Sequence, residues 1–127
     1  MKVDLYPKKC NLCGGYVQYI SNHLIYGKKY GSGKCYHCTK CGALVGTHKY
    51  NPRKAYGILA DKQMRKLKVQ CHDLFDKRWK GRKTSRHDAY KWLANELNIP
   101  IQDCHFGYFD LETLQRAYQI LKENDNV

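Results

Sequence analysis

Two eight-residue stretches, CNLCGGYV at residues 10–17 and CTKCGALV at residues 38–45, decide the fold of this chain. Both read C-x2-C-G, followed by a small residue, any residue and valine, so the second stretch repeats the first. Two residues between the cysteines bring both sulfurs to one side of a tight turn, and the following glycine can take the positive φ that this turn needs. The repeat is typical of a pair of zinc knuckles.

One structural zinc ion is predicted to be held by four cysteines: Cys10, Cys13, Cys38 and Cys41. Four thiolates fill a tetrahedral shell at about 2.3 Å from the metal and leave no open position of the kind that a catalytic zinc needs. Cys35 also forms a C-x2-C pair with Cys38, and His37 lies between them, so Cys35 or His37 stays an alternative ligand. The repeat favours the pair of Cys38 and Cys41, because a glycine follows Cys41 as it follows Cys13.

The other cysteines and the ends of the chain bear on the compartment. Seven cysteines is an odd number, and five of them fall between residues 10 and 41, which suits a metal site in a reducing compartment better than a disulfide framework. The chain has no run of about 18 apolar residues and no opening like a signal peptide. We therefore expect a cytoplasmic protein without a membrane partner.

The fold class predicted from these patterns is α+β, with an N-terminal zinc ribbon followed by a three-helix C-terminal module. Residues 1–57 hold the clustered cysteines and β-prone stretches at 16–20 and 43–45, which predict short antiparallel strands. The glycine-rich residues 26–34 predict a turn or mobile loop between two strands, and Pro52 is expected to begin the exit from the β region. Residues 58–127 form the helical module, which we expect to pack with the ribbon as one compact unit.

Three helices are predicted in the second module. From about residue 60, apolar positions follow a 3-4-3-4 spacing that is typical of an amphipathic helix ending near Gly81. Ser85 with Asp88 resembles a capping box at the start of a second helix, which stops before Pro100. A third helix is expected after Asp110 as its N-cap. A chain of 127 residues with this division excludes a large enzyme core.

The charge of the chain indicates a polyanionic partner. Lys and Arg number 23 against 11 Asp and Glu, and the excess is +9 in residues 1–60, +6 in 61–100 and −3 in 101–127. Cations that neutralise phosphates release condensed counterions, so such a balance favours DNA or RNA. The predicted nucleic-acid contacts are Lys28, Lys29, Lys62, Arg65, Lys66, Arg78, Lys80, Arg82, Lys83 and Arg86.

Tyrosines interleave with lysines in the first half of the chain, and such rings can stack on unpaired bases while lysines hold the backbone. The tyrosines considered for this role are Tyr16, Tyr19, Tyr26, Tyr30 and Tyr36. Strand tyrosines are more often packing residues, so both interpretations stay open.

A set of short motifs resembles a family of small zinc-finger-containing proteins of bacteriophages and prophages, over about residues 8–120. The motifs are the knuckle pair, Val45-Gly46-Thr47-His48, Leu59-Ala60-Asp61, His72-x2-Phe75-Asp76-x2-Trp79, Arg86-x3-Tyr90-x-Trp92-Leu93-Ala94 and Cys104-His105-x-Gly107-x-Phe109-Asp110. The resemblance implies a zinc finger and a phage or bacterial origin, and thus the host cytoplasm, but no particular activity. Cys35 and Cys71 depart from the family pattern.

The sequence favours a zinc-ribbon nucleic-acid-binding protein that contacts DNA or RNA mainly through phosphates. One alternative is an interaction protein that binds an acidic host protein, such as a polymerase subunit or defence factor. Another is a small metal-dependent nuclease, since His48, Asn51 and His72 occur in the order of a His-Asn-His constellation. No catalytic residue is predicted, because no nucleophile or carboxylate dyad accompanies these histidines.

Two adjacent pairs, Cys71-His72 and Cys104-His105, raise the question of a second metal site. Cys71 lies on the apolar stripe of the first predicted helix, where a free cysteine is normally a small buried hydrophobic residue. Core packing is therefore the favoured interpretation of Cys71.

Overall fold

The computed structural model describes residues 3–125. Their contacts divide into two compact units, residues 3–62 and residues 63–125, which we call the N-terminal unit and the helical unit. The N-terminal unit contains an antiparallel sheet with the cysteines at one end of its strands, and the helical unit contains three long helices. The predicted α+β class is confirmed.

The sheet of the N-terminal unit has four strands in chain order, and each strand is antiparallel to the next. The strands are β1 Val17–Ser21, β2 Lys34–Cys38, β3 Leu44–His48 and β4 Asn51–Ala55. Val17 lies opposite Cys38 at one end of the β1–β2 pair. Val17 is the last residue of the first knuckle, and Cys38 is the first residue of the second. The sheet register therefore brings the two halves of the sequence repeat together.

Pro52 lies inside β4 and does not mark the end of the β region, so that expectation was wrong. Proline has no N–H to donate, and within a sheet it is tolerated on an edge strand. β4 is the last strand of the sheet and pairs with β3 alone. The position of the strand in the sheet, which local sequence does not reveal, explains the exception.

The glycine-rich segment between β1 and β2 is more ordered than its sequence predicts. It contains a one-turn helix, α1 His23–Tyr26, which Gly27 ends at a φ of 77°. The buried side chain of Asn22 donates to the Tyr30 carbonyl oxygen at 2.8 Å and accepts from the Tyr30 N–H at 3.2 Å. These two bonds fix the backbone of the loop.

The core of the N-terminal unit is small. One cluster of buried side chains contains Cys10, Val17, Tyr36, Cys38, Ala43, Val45, Ala55 and Leu59. Only three of these are aliphatic side chains larger than alanine. So few methyl groups provide limited hydrophobic stabilisation for a unit of this size. The sheet therefore depends on a further constraint, which the cysteines provide.

The helical unit agrees closely with the predicted helix boundaries. Its helices are α2 Lys62–Trp79, α3 Arg86–Leu97 and α4 Leu111–Glu123, and α3 packs against α4. Ser85 caps α3 by accepting from the Asp88 N–H at 3.0 Å, as predicted. Asn98 ends α3 with a φ of 58°, a left-handed conformation that asparagine tolerates better than most residues.

Aromatic side chains fill the centre of the helical unit. Phe75 of α2 packs on Tyr90 of α3, with ring centroids 4.3 Å apart, and on Phe106 at 5.5 Å. Phe106 lies in a single turn of 3-10 helix, Phe106–Tyr108, and contacts Phe109. Phe75, Phe106 and Phe109 are each 1% exposed, so the segment between α3 and α4 belongs to the core.

Asp110 caps α4, and its replacement gives a pH-dependent prediction. Its carboxylate accepts from the Thr113 N–H at 2.9 Å, and the backbone and then the side chain of Thr113 lower the pKa of Asp110. We expect Asp110→Ala to destabilise the helical unit by about 1 kcal/mol at pH 7. A lowered folded-state pKa means that this contribution is complete above the ordinary carboxyl pKa of about 4 and is lost as the pH falls through the folded value.

Urea unfolding followed through the helical signal, with Gln115→Ala as a control on the same helix, measures the Asp110 effect. Gln115 is exposed and is not the cap of the helix. A cost of Asp110→Ala that is equal at pH 7 and pH 2.5 would contradict the assigned role of the charged carboxylate.

None of the helices in residues 3–125 is both long enough and apolar enough to span a bilayer.

Candidate metal centre and cationic surfaces

The two knuckles have matching backbone hydrogen bonds. In the first, Cys10 N donates to Gly15 O at 2.9 Å and Gly14 N donates to Cys10 O at 2.9 Å. In the second, Cys38 N donates to Ala43 O at 2.8 Å and Gly42 N donates to Cys38 O at 3.1 Å. The two glycines have φ values of 76° and 82°, so the positive φ predicted after each C-x2-C is present.

Backbone N–H groups point at the sulfurs in both turns. Gly15 N lies 3.3 Å from Cys13 Sγ, and the N–H groups of Lys40 and Cys41 each lie 3.4 Å from Cys38 Sγ. Such donors stabilise a thiolate relative to a thiol. They therefore prepare the cysteines for metal binding.

The four sulfurs have the spacing of a tetrahedral zinc shell. Cys10 Sγ lies 3.7 Å from Cys41 Sγ, and Cys13 Sγ lies 3.5 Å from Cys38 Sγ. All four sulfurs lie within 4.8 Å of one another. Zinc–sulfur bonds of about 2.3 Å at tetrahedral angles require sulfurs about 3.8 Å apart. The cluster fits one structural zinc ion, which confirms the predicted cofactor.

The thiol pKa values show why a cation suits this cluster. The N–H of Cys41, opposed in part by burial and assisted by the N–H of Lys40, lowers the pKa of Cys38 to about 6. The N–H of Ala43 lowers the pKa of Cys41, but burial and the neighbouring sulfurs raise it to about 12. One thiolate forms readily and the next is disfavoured beside it. A divalent metal removes this conflict by binding all four thiolates.

Neither alternative ligand belongs to the cluster. Cys35 and His37 alternate along β2 with Tyr36 and Cys38, and successive side chains of a strand point to opposite faces. His37 Nδ1 lies 3.0 Å from Gln18 Nε2 across the sheet. Cys35 is 1% exposed, and its burial raises the pKa of its thiol. The cysteine cluster of the structure thus contains the pair that the repeat favours.

Two features of the first knuckle were not predicted from the sequence. The Asn11 side chain donates to Leu59 O and accepts from Leu59 N, both at 2.9 Å, and so connects the knuckle to a segment 48 residues away. A Cβ at Gly15 would lie 2.7 Å from Lys40 Cβ and 3.0 Å from Cys38 Sγ. Glycine is required here because the two knuckles approach each other at this point.

A family model described as a zinc-finger-containing domain matches residues 6–124. The chain belongs to this zinc-finger family. The match includes both knuckles and all three long helices, so the family domain comprises the N-terminal unit and most of the helical unit. No curated protein and no solved structure matches the chain.

In the described part of this zinc-finger protein, the pairs Cys71-His72 and Cys104-His105 do not form a second metal site. Among residues 3–125, the four-cysteine cluster is the one group of three or more His, Cys, Asp or Glu side chains close enough to bind a metal. Cys71 is fully buried, with its sulfur 3.6 Å from Leu114 O, and burial raises its pKa to about 12. Burial likewise raises the pKa of Cys104 to about 11.

The predicted phosphate contacts fall in three places. Lys28 and Lys29 are exposed in the loop after α1, and Lys62, Arg65 and Lys66 lie in the first turns of α2. The remaining five belong to the end of α2, the connection to α3 and the start of α3: Arg78, Lys80, Arg82, Lys83 and Arg86. Of these five, Lys80, Arg82, Lys83 and Arg86 are exposed.

Arg78 differs from the other cations of this group. Its guanidinium carbon lies 3.6 Å from the centroid of the Trp92 ring, and Nη1 donates to Asn124 O at 3.2 Å. Burial, followed by the nearby charge of Arg82, lowers the pKa of Arg78. The half-buried side chain thus connects α2 to α3 and to the end of α4. A contact of Arg78 with phosphate stays a prediction.

The tyrosines considered for base stacking divide into two groups. Tyr36 is 5% exposed and donates to Arg53 O, while Tyr19 packs on it and donates to Pro52 O, so these two are packing residues. Tyr16, Tyr26 and Tyr30 are about half exposed or more.

The residues of the nuclease hypothesis are distributed over both units. His48 and Asn51 are cross-strand partners at the β3–β4 turn, and the His48 ring packs on Tyr56 with centroids 4.3 Å apart. His72 lies in the helical unit, where its ring contacts Phe106. A nuclease activity stays a prediction.

Proposed function

We propose that this zinc-finger protein binds nucleic acid, mainly through phosphates, and that the zinc serves as a structural staple. The observation that supports this most strongly is the charge of the N-terminal unit. Between Leu5 and Ala60 there are nine Lys and Arg and no Asp or Glu. None of these nine side chains is buried. A segment with this many exposed cations and no acid of its own attracts polyanions.

The helical unit supports the proposal through its basic connection. Lys80, Arg82 and Lys83 project from the short segment between α2 and α3, and Lys80 pairs with Asp76 at 3.2 Å on an exposed surface. Exposed ion pairs of this kind are weak, so a phosphate can compete for the lysine. The connection forms a patch of three neighbouring cations that does not depend on base identity.

Reversing this patch tests the proposal. We expect the triple variant with Lys80→Glu, Arg82→Glu and Lys83→Glu to bind oligonucleotides of every sequence at least about tenfold more weakly near 0.1 M salt. The slope of log affinity against log salt concentration should also become shallower, because fewer counterions are released. Fluorescence anisotropy with labelled single-stranded and duplex probes measures both quantities.

A control reverses one cation of the acidic C-terminal segment, Lys122→Glu. This residue is exposed and lies on α4 outside the basic connection. Affinity that is unchanged in the triple variant, or lowered equally by the control, would remove the connection from the binding surface. No binding of any probe by the zinc-loaded protein at low salt would refute the proposed function itself.

A second candidate is an interaction protein for an acidic host protein, and one feature of the helical unit favours it. An open cleft of about 610 Å³ has Trp92, Ile99 and Ile101 in its lining, with Lys91 and Asp88 beside them. Apolar surface with a lysine at its edge can receive an acidic peptide. A pull-down from nuclease-treated host lysate separates the candidates, because a protein partner persists after nucleic acid is removed, and Lys91→Glu should abolish its capture.

We further propose a phage or prophage origin and action in the bacterial cytoplasm. The origin rests on the resemblance of the combined motifs, and the location rests on chemistry. All seven cysteines are free thiols in the structure. A four-thiolate zinc site is maintained best where thiols stay reduced.

A further inference from the structure

Four exposed tyrosines lie along two adjoining clefts of the N-terminal unit. Tyr26, Tyr30 and Tyr56 are 49%, 50% and 54% exposed, and Tyr50 is 93% exposed. We call these four residues the tyrosine track. Exposed rings grouped in one patch, unlike a ring exposed singly, are typical of an interaction surface.

The two clefts meet at Tyr56. One, of about 360 Å³, is lined by His48, Lys49, Tyr50, Asn51, Lys54 and Tyr56. The other, of about 220 Å³, includes Tyr26, Tyr30, Lys34 and Thr47, and again Tyr56. One ring therefore borders both clefts, one beside the α1 loop and one beside the β3–β4 hairpin. A ligand that passes over Tyr56 contacts both.

Hydrogen bonds fix the backbone beneath two of the four rings, Tyr30 and Tyr56. Asn22 holds the backbone of Tyr30 with two hydrogen bonds, and the Tyr26 ring packs edge-on against the Tyr30 ring with centroids 5.4 Å apart. Tyr56 N donates to Gly46 O at 3.0 Å, and the Tyr56 ring packs on His48. Aromatic surface held in place in this way loses little entropy when a ligand binds.

Cations accompany the rings along the whole track. Lys28 Nζ lies 5.2 Å from the Tyr30 ring centroid, and Lys49 Nζ lies 5.7 Å from that of Tyr50. Lys34 and Lys54 line the two clefts. Flat apolar rings interleaved with cations, in a segment without acids, match a ligand that alternates flat apolar groups with negative charges.

We infer that the tyrosine track binds an unpaired nucleic-acid strand, with bases stacked on Tyr50 and Tyr56 and phosphates held by Lys49 and Lys54. Base faces are available for stacking in a single strand and are covered by neighbouring pairs in a duplex. The inference rests on the proposed function and adds to it the strandedness of the ligand. It also assigns a binding role to the β3–β4 hairpin.

The test compares three fluorescent probes of about 20 nucleotides on the full-length, zinc-loaded protein: a single strand of mixed sequence, a fully abasic strand and a duplex. The abasic strand keeps the phosphates and lacks the bases. We expect the mixed single strand to bind most tightly. The double variant Tyr50→Ala with Tyr56→Ala should lower its affinity at least about fivefold per tyrosine, with little change for the abasic strand.

Two controls separate stacking from folding. Replacing Tyr50 and Tyr56 by Phe keeps both ring faces and should preserve affinity for the mixed strand. Tyr6→Ala removes a ring that is 53% exposed and lines neither of the two clefts, so it should have no effect. In the unaltered protein, NMR titration with the mixed strand should shift the ring signals of Tyr50 and Tyr56.

The outcomes distinguish the two proposals. Failure of all three probes to bind would refute the proposed function, and the inference with it. Binding without a preference for the mixed strand, or an equal loss for mixed and abasic strands in the alanine variant, would refute the inference and leave phosphate binding standing. Absence of ring shifts in the unaltered protein would refute the inference even if the alanine variant proved unstable.

Discussion

Cys13→Ser is expected to abolish stoichiometric zinc binding and to unfold the N-terminal unit. Zinc binding in small metal modules contributes about 10–16 kcal/mol of apparent free energy, which exceeds the net stability of many whole domains. In the described part of this unit the buried aliphatic side chains larger than alanine are Val17, Leu44, Val45 and Leu59, so little else compensates. The hydroxyl of serine does not replace a thiolate in a four-sulfur shell.

Elemental analysis and amide hydrogen exchange check this result. Zinc should fall from one ion per chain to a small fraction, and the amides of β1 to β4 should lose protection, while those of α3 and α4 keep it. Cys35→Ala is the matched control, because Cys35 is a buried cysteine of the same sheet outside the sulfur cluster. One zinc per chain and a protected sheet in Cys13→Ser would show that the metal is not the staple.

Phe75→Ala is expected to have the second largest effect, a loss of about 3–5 kcal/mol in the helical unit. The side chain is 1% exposed and packs on Tyr90 and Phe106, so its removal leaves a cavity between α2, α3 and the 3-10 turn. A unit of about 60 residues has little stability to spare. Much of the helical unit of Phe75→Ala should therefore be unfolded at room temperature before urea is added, and its cooperative unfolding transition should largely disappear.

Circular dichroism during urea unfolding measures the Phe75 effect, and Val69→Ala on the same helix serves as the control. Val69 is 61% exposed, and shortening it should change stability by less than about 0.5 kcal/mol. Zinc content should stay at one ion per chain in both variants, since all four ligands belong to the N-terminal unit. A Phe75→Ala protein as stable as Val69→Ala would contradict the assigned core.

Features set by short-range spacing were predictable from the sequence. The repeat placed Cys38 and Cys41 in the cysteine cluster because the turn geometry is encoded within five residues, and each glycine takes the expected positive φ. The 3-4 spacing in α2 and the caps at Ser85 and Asp110 are likewise local, and all three helices were found.

Features that depend on distant partners were missed. The loop after β1 reads as mobile because its glycines are visible in the sequence, whereas the bonds of Asn22 to Tyr30 depend on the path of the chain between them. Asn11 meets Leu59 across 48 residues, and Arg78, a predicted phosphate contact, stacks on Trp92 of another helix. Pro52 lies in a strand because that strand is at the sheet edge.

The candidate surfaces show the same division. The excess of cations was evident from composition, and a binding role for the tyrosines was considered for residues before β3. A binding role for Tyr50 and Tyr56, which flank β4, was not predicted. Their exposure and the cleft that they share with His48 depend on the β3–β4 hairpin, which local sequence does not reveal. A run of 56 residues without an acid was the available signal, and it included both tyrosines.

We expect four cysteine sulfurs, and no other atoms, to bind one zinc ion. X-ray absorption at the zinc edge of the purified full-length protein tests it most directly. We predict one zinc per chain with four sulfur scatterers at about 2.3 Å and no nitrogen or oxygen in the first shell. A protein without zinc, or a shell in which a nitrogen replaces one sulfur, as ligation by His37 would produce, would contradict this account.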